Sequence, residues 1–201
     1  MSVTVVGRWH VPDGQQELAI AAVQHELDVR ACQPPARRAA HVFQAIDDPA
    51  MLLYVAEWSD WAAFEWYRGQ GGTDTVEAAI SSGGEYIICE RLVFYGNFAY
   101  RAHVVACGII DAPADSSEAV RELLLPGGRW TIHGWPGLVH YTAFREVTHA
   151  HRYVVVHGWQ SETALRRFRE ARRAAGQLAF SSVGATLIQF TGRARASTDL
   201  A

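Results

Sequence analysis

Residues 152–159 read RYVVVHGW, and 101 positions earlier residues 51–58 read MLLYVAEW. Both run through β-branched and other apolar residues and both stop on a tryptophan, the pattern of a buried strand. Two positions past each tryptophan stands a residue able to cap a helix, Asp60 in one copy and Ser161 in the other, and apolar residues at helical spacing follow. Extending the same offset outward pairs Val3 with Val104, Gly7 with Gly108, Pro12 with Pro113, Phe43 with Phe144 and Gly83 with Gly184. The identities are sparse, yet they fall at equivalent structural points, and a repeat of this kind governs the choice of fold.

Working outward, SVTVVGRWHV (2–11) and RAHVVACGII (101–110) read as opening strands. Each precedes a helical segment, residues 14–31 and 115–125, the second stopped by Pro126, Gly127 and Gly128. RRAAHVFQAI (37–46) and LVHYTAFREV (138–147) supply second strands, and the first of these turns into its neighbour through Asp47, Asp48 and Pro49. A short helical stretch, a glycine and a last strand, EYIICERLVFY (85–95) or TLIQFTG (186–192), close each copy. The order is β-α-β-β-α-β twice, so the fold class is α+β with two ferredoxin-like repeats, 1–97 and 98–195, and a C-terminal tail, 196–201. Helices cover only one face of such a sheet. The other face stays apolar, so the two repeats are expected to pack sheet to sheet as an intramolecular dimeric α+β barrel, a covalent pseudo-dimer that leaves room for a further homodimer.

Composition narrows the function classes. A formal net charge of -3 and a pI near 6.3 provide no basic field for nucleic acid. No apolar run reaches the roughly 18 residues of a spanning helix, and the opening residues read as a strand rather than a signal peptide, so a cytoplasmic protein with no membrane partner is expected. Cys32, Cys89 and Cys107 are odd in number and widely spaced, unlike a disulfide framework or a thiolate zinc site. All 18 basic residues are arginine. Without a lysine there is no Schiff-base amine, no internal lysine for pyridoxal phosphate and no P-loop lysine.

The strand order, the Pro-Ala and Pro-Gly pairs before the second strands, and the third strand ending in tryptophan ahead of a capped helix resemble the antibiotic biosynthesis monooxygenase family of the dimeric α+β barrel superfamily. GWPGLVHYTAFREV (134–147) and VHGWQSETALRRF (156–168) carry the likeness, with AEWSDWAAFEWY (56–67) as the first-copy counterpart. The resemblance implies either cofactor-independent oxygenation of polycyclic phenols, haem degradation or a binding role. Haem-degrading members place a histidine ligand on the helix before the last strand; TDTVEAAISS and GQLAFSS hold none. The expectation is therefore no cofactor and no metal, with a small aromatic substrate and molecular oxygen as partners.

Oxygenation of that type needs a base, a dry aromatic cavity and a group that steadies an anion. Histidine titrates near neutrality, which makes His41, His140 and His157 the candidate proton acceptors. Trp58 and Trp159 end equivalent strands, while Trp66 is unique to the first copy and lies at the flank of its helix, where it could wall a cleft. Arg38 and Arg145 are candidates to hold the anion. HAH (149–151) falls at a turn, and RRFREARRAA (166–175) reads as a basic helix face. The leading reading is a cofactor-independent monooxygenase; a non-catalytic ligand-binding or structural pseudo-dimer and an isomerase on the same scaffold are the alternatives.

Overall fold

The computed structural model of the protein describes residues 2–30, 37–71, 84–96, 102–125, 132 and 134–199. The first copy runs β1 (Val3–His10), α1 (Gln16–Arg30), β2 (Arg37–Ala45), β3 (Met51–Trp58), α2 (Trp61–Gly69) and β4 (Glu85–Gly96). The second runs β5 (Val104–Asp111), α3 (Ser117–Leu124, entered through a 3-10 turn at Ala114–Ser116), β6 (Leu138–Glu146), β7 (Arg152–Trp159), α4 (Glu162–Ser181) and β8 (Thr186–Asp199). Both are β-α-β-β-α-β, and the strands hydrogen-bond in the order β1-β3-β2-β8-β5-β7-β6-β4 of an eight-stranded α+β barrel. The helical stretch expected over 73–82 lies outside the described residues.

Two compact units divide the chain, one of residues 1–89 with 192–201 and the other of residues 90–191. Repeat arithmetic breaks the chain at 97; the units divide instead inside two long strands. Glu85–Cys89 of β4 belong to the first unit and Glu90–Gly96 to the second. Likewise Thr186–Thr191 of β8 belong to the second unit, and Gly192–Asp199 to the first. There they pair antiparallel with β2, from Ala45 opposite Gly192 to Ala39 opposite Asp199. Residues 196–199, set aside above as a tail, are therefore strand, because the open edge of β2 offers a ladder of unpaired amides and carbonyls for them to satisfy.

Local signals account for the helix starts. The Asp60 carboxylate accepts from the Ala63 amide at 2.8 Å, which holds its pKa below the usual carboxylate value. The Ser161 hydroxyl accepts from the Ala164 amide at 3.2 Å in the same repeat position. From Glu162 the second of these helices runs on without a break to Ser181, so the stretch read separately as GQLAFSS is its last part.

In the first unit, strand register sets which residues face the helices. Val5 stands opposite Ala56, Gly7 opposite Tyr54 and Trp9 opposite Leu52 on β1 and β3. Trp9, Leu52, Tyr54 and Ala56 then pack with Ala40 and Val42 of β2 and with Ala19, Ile20 and Val23 of α1. The end of the same sheet face meets α2, where Trp58 packs on Phe64 and Tyr67. Phe64 and Tyr67 are buried, as their three-residue spacing requires. In the second unit β5 pairs with β7, bringing Ala106 opposite His157, Gly108 opposite Val155 and Ile110 opposite Tyr153. Tyr153 anchors α3 by donating to the Ser117 carbonyl at 2.8 Å, and Tyr141 donates to the Leu124 carbonyl at 3.0 Å. Burial raises the Tyr141 phenol's pKa, so it remains a donor. The second strand of each copy shifts register against the third at the same repeat position, between Arg37 and Ala39 and between Leu138 and His140.

Candidate functional site

The helix-facing side of the second unit is not filled. Ala106 and Gly108 on β5 and Val155 on β7 carry little bulk, and between them and α4 lies a cleft of about 900 Å³. Phe168 and Phe180 of α4 supply aromatic wall, and His157 of β7 is part of the lining. Arg166, Arg169 and Arg172 stand along the α4 side.

The same place in the first unit is closed. There Val5, Trp9, Tyr54, Trp58, Phe64, Tyr67 and Tyr86 leave only about 20 Å³. The repeat offset gives the cause residue by residue: Trp9 stands where the second copy has Ile110, Tyr54 where it has Val155, and Tyr86 where it has Leu187. Trp9 packs 5.4 Å from the Tyr54 ring and 5.8 Å from the Tyr86 ring, the latter edge to face. Its indole lies so close over Gly84 that an added Cβ would come within 1.9 Å of it, whereas the second copy carries Ala185 at that position. Three aromatic side chains thus occupy the volume that the second unit leaves open.

His157 is a buried titratable group in the cleft wall. Trp159 Nε1 donates to His157 Nδ1 at 2.7 Å, which leaves the imidazole proton on Nε2. Burial, followed by the positive charge of Arg169, pushes the His157 pKa down to about 3. The imidazole is therefore neutral across the physiological range, a fixed hydrogen-bond donor at Nε2 and a poor proton acceptor. Phe168 holds the pair in place, its ring 5.0 Å from Trp159 and 5.9 Å from His157. Beyond Phe168, Trp135 packs edge to face at 5.4 Å, and the Arg172 guanidinium sits 5.7 Å from the Trp135 ring.

Among the residues singled out from sequence, His157 and Trp159 come together here. His140 is fully buried but pairs with Gly158, on the opposite sheet face, and its ring occupies the space above that glycine. His41 alternates with Ala40 and Val42, which face α1, so it also points away from the helix side of its sheet, 6.1 Å from the ring of Phe43. Trp58 packs against Tyr67 at 4.5 Å in the closed first unit. Trp66 on α2 is 40% exposed and lines neither cleft. Arg145 donates from Nε to Glu90 at 2.7 Å in an ion pair. Arg38 sits at the β2 bulge, and its side chain lies outside the described set.

The sequence reading found the arginines of α4 as a basic helix face but did not place them at a cleft, and it missed the wall role of Phe168 and the small floor residues. The repeat offset pairs Phe168 with Tyr67 as a packing residue, which it is; that packing also builds the wall. Residue size compared across the repeat, Trp9 with Ile110 and Tyr54 with Val155, was the available signal.

His149 of the HAH stretch has its Nδ1 2.5 Å from the buried Glu146 carboxylate. Among the described residues no group of three histidine, cysteine, aspartate or glutamate side chains is arranged to hold a metal ion, and no helix is long and apolar enough to cross a membrane.

Residues 104–175, within the second copy, match the family model for antibiotic biosynthesis monooxygenase. No curated protein matches the chain. Solved structures resemble it over nearly its whole length. An anthrone oxidase-like protein aligns with a TM-score of 0.77 at 13% identity, covering 98% of this chain and 93% of its own. A candidate monooxygenase from Fusobacterium nucleatum aligns at 0.77 and 8% identity (98% and 94%), and one from Lactobacillus acidophilus NCFM at 0.75 and 6% (98% and 96%). At such identities the likeness speaks for the fold.

Proposed function

We propose that the protein is a cofactor-independent monooxygenase of small polycyclic or polyphenolic aromatics, and that the reaction takes place in the second unit alone. The observation that carries this reading is the contrast between an open cleft of about 900 Å³ and its filled counterpart of about 20 Å³ at the same repeat positions. A cleft of the first size accommodates a fused aromatic system. The second holds nothing larger than water.

The chemistry asked of the residues is the stabilisation of an electron-rich anion. Loss of a proton from an anthrone leaves such an anion; molecular oxygen adds at its carbon, and loss of water from the resulting hydroperoxide leaves a carbonyl. His157, neutral and donating from Nε2, hydrogen-bonds the substrate oxygen on which the negative charge develops. Arg169 adds positive charge nearby. Both make the bound substrate itself more acidic, so that the proton can leave to solvent without a strongly basic side chain. Trp159 fixes the imidazole tautomer, and Phe168 and Phe180 offer aromatic faces to the ring system.

This role for His157 replaces the proton acceptor expected from sequence. It also weighs against an isomerase, which must take a proton from carbon and return it with a base titrating near neutrality. The non-catalytic reading applies to the first unit, whose aromatic filling serves packing.

Oxygen consumption with a panel of anthrones and reduced polyphenols tests the proposal, comparing the wild type with Ile110→Trp/Val155→Tyr, which copies the first unit's side chains into the cleft. Oxidation above the spontaneous rate, reduced by about 100-fold in the filled variant, is expected. A wild type no faster than buffer, or a filled variant as fast as the wild type, would refute it.

A further inference from the structure

The α4 side of the cleft carries more positive charge than the oxygenation chemistry, which uses Arg169 alone, requires. Arg166, Arg169 and Arg172 recur every three residues and all line the cleft, with Glu170 as the acidic residue of the lining among those described. By helix geometry the stripe extends about 9 Å along α4, comparable to a fused aromatic system. Two of the three are held in place: Arg169 donates to the Thr191 hydroxyl, and Arg172 stacks on Trp135. The closed first unit shows no such stripe, since the equivalent positions are Glu65, Arg68 and Gly71, with Arg68 donating to Glu65 at 3.3 Å. The stripe therefore belongs to the copy that has a cleft and is missing from the copy that lacks one. In a chain of net charge -3, this local positive wall concentrates anions where the bulk of the surface does not.

We infer that the ligand of the cleft is an acidic aromatic: a fused ring system seated on Phe168 and Phe180 and bearing a carboxylate that meets the arginine stripe of α4. The inference rests on the cleft assigned under the proposed function and adds the charge class of its occupant. Guanidinium groups bind carboxylates through paired N–H donors, and a wall of three lets one substituent find a bidentate partner at more than one ring position.

The test uses two probes with the same ring system, anthracene-9-carboxylate and 9-anthracenemethanol, titrated against the full chain at low and high salt by calorimetry. The carboxylate is expected to bind about 10-fold more tightly at low salt, with the advantage shrinking as salt is added. In Arg166→Gln/Arg172→Gln, which keeps Arg169, the preference for the carboxylate should shrink to about threefold or less, while affinity for the alcohol changes less than about twofold. Arg166→Glu, at an exposed position outside the Trp135 stack, is a second variant that should reduce the preference without disturbing packing. Equal binding of both probes to the wild type, or a preference undiminished in either variant, overturns the inference and leaves the cleft reading standing. Failure of both probes to bind overturns the cleft reading as well.

Discussion

Trp159 and His157 share one hydrogen bond, 2.7 Å from indole Nε1 to imidazole Nδ1, inside a region where the histidine is held neutral. The bond makes one of the three histidines read from sequence as candidate bases a donor at Nε2. A tryptophan two positions along the same strand faces the same way as the histidine, which is how sequence alone could bring them together. The direction of the bond, and with it the chemistry, needed the structure.

If His157 acts as a donor, glutamine should replace it better than a side chain of similar bulk without a polar group. In His157→Gln the introduced amide oxygen can accept from Trp159 while its NH2 group donates in the manner of Nε2. We expect His157→Gln to keep oxidation within about tenfold of wild type, and His157→Phe to lose about 100-fold. The pH profile of kcat should show no limb near the usual histidine value. A limb there, together with complete loss in His157→Gln, would restore the proton-acceptor role.

The depressed pKa also links stability to pH. Above about 6.5 the imidazole is neutral both folded and unfolded, and it contributes no pH dependence. As pH falls from 6.5 toward 3, the unfolded chain takes up the proton and the folded chain does not, so stability falls by up to about 1.4 kcal/mol per pH unit from this group. Below about 3 the folded state is protonated as well and the loss levels off. Urea unfolding of wild type and His157→Gln at pH 7 and pH 4.5 isolates the contribution as the difference between them, which the variant should lack.

Emptying the first unit should cost stability without harming the proposed reaction. Trp9 is almost wholly buried among Tyr54, Tyr86 and the α1 side chains, so Trp9→Ala leaves a large void worth about 3–5 kcal/mol. Denaturant midpoints measure the loss, and oxygen consumption under conditions where the variant stays folded should match wild type. Lost activity in a folded variant would place chemistry in the first unit.

The fold was legible because its signals are local and repeated. Apolar strands, caps at Asp60 and Ser161, and a fixed offset linking Trp58 with Trp159 are all properties of short segments, and they agree with one another. The site was harder to read. Strand parity alone does not say which face meets the helices, so His41, His140 and His157 looked equivalent; only the registers that pair His140 with Gly158 and set His157 against Ala106 separate them. Trp66 attracted notice by being absent from the other copy, yet it lines neither cleft, while the difference that mattered was one of size at positions 9, 54 and 86. Volume is a property of facing residues, and it shows in a sequence only when two copies are compared by bulk rather than by identity.

The pairing of β2 with residues 192–199 has a bearing on synthesis of the chain. A ribosome finishes Ala45 about 150 residues before it reaches the segment that satisfies that strand's edge, an interval on the order of 8–30 s at ordinary elongation rates. Through that interval the nascent first unit carries an unsatisfied strand, and it can reach its native hydrogen bonding only after the sequence of the second unit has been translated. Vectorial maturation, with the leading half completed first and the trailing half added to it, is closed to this molecule.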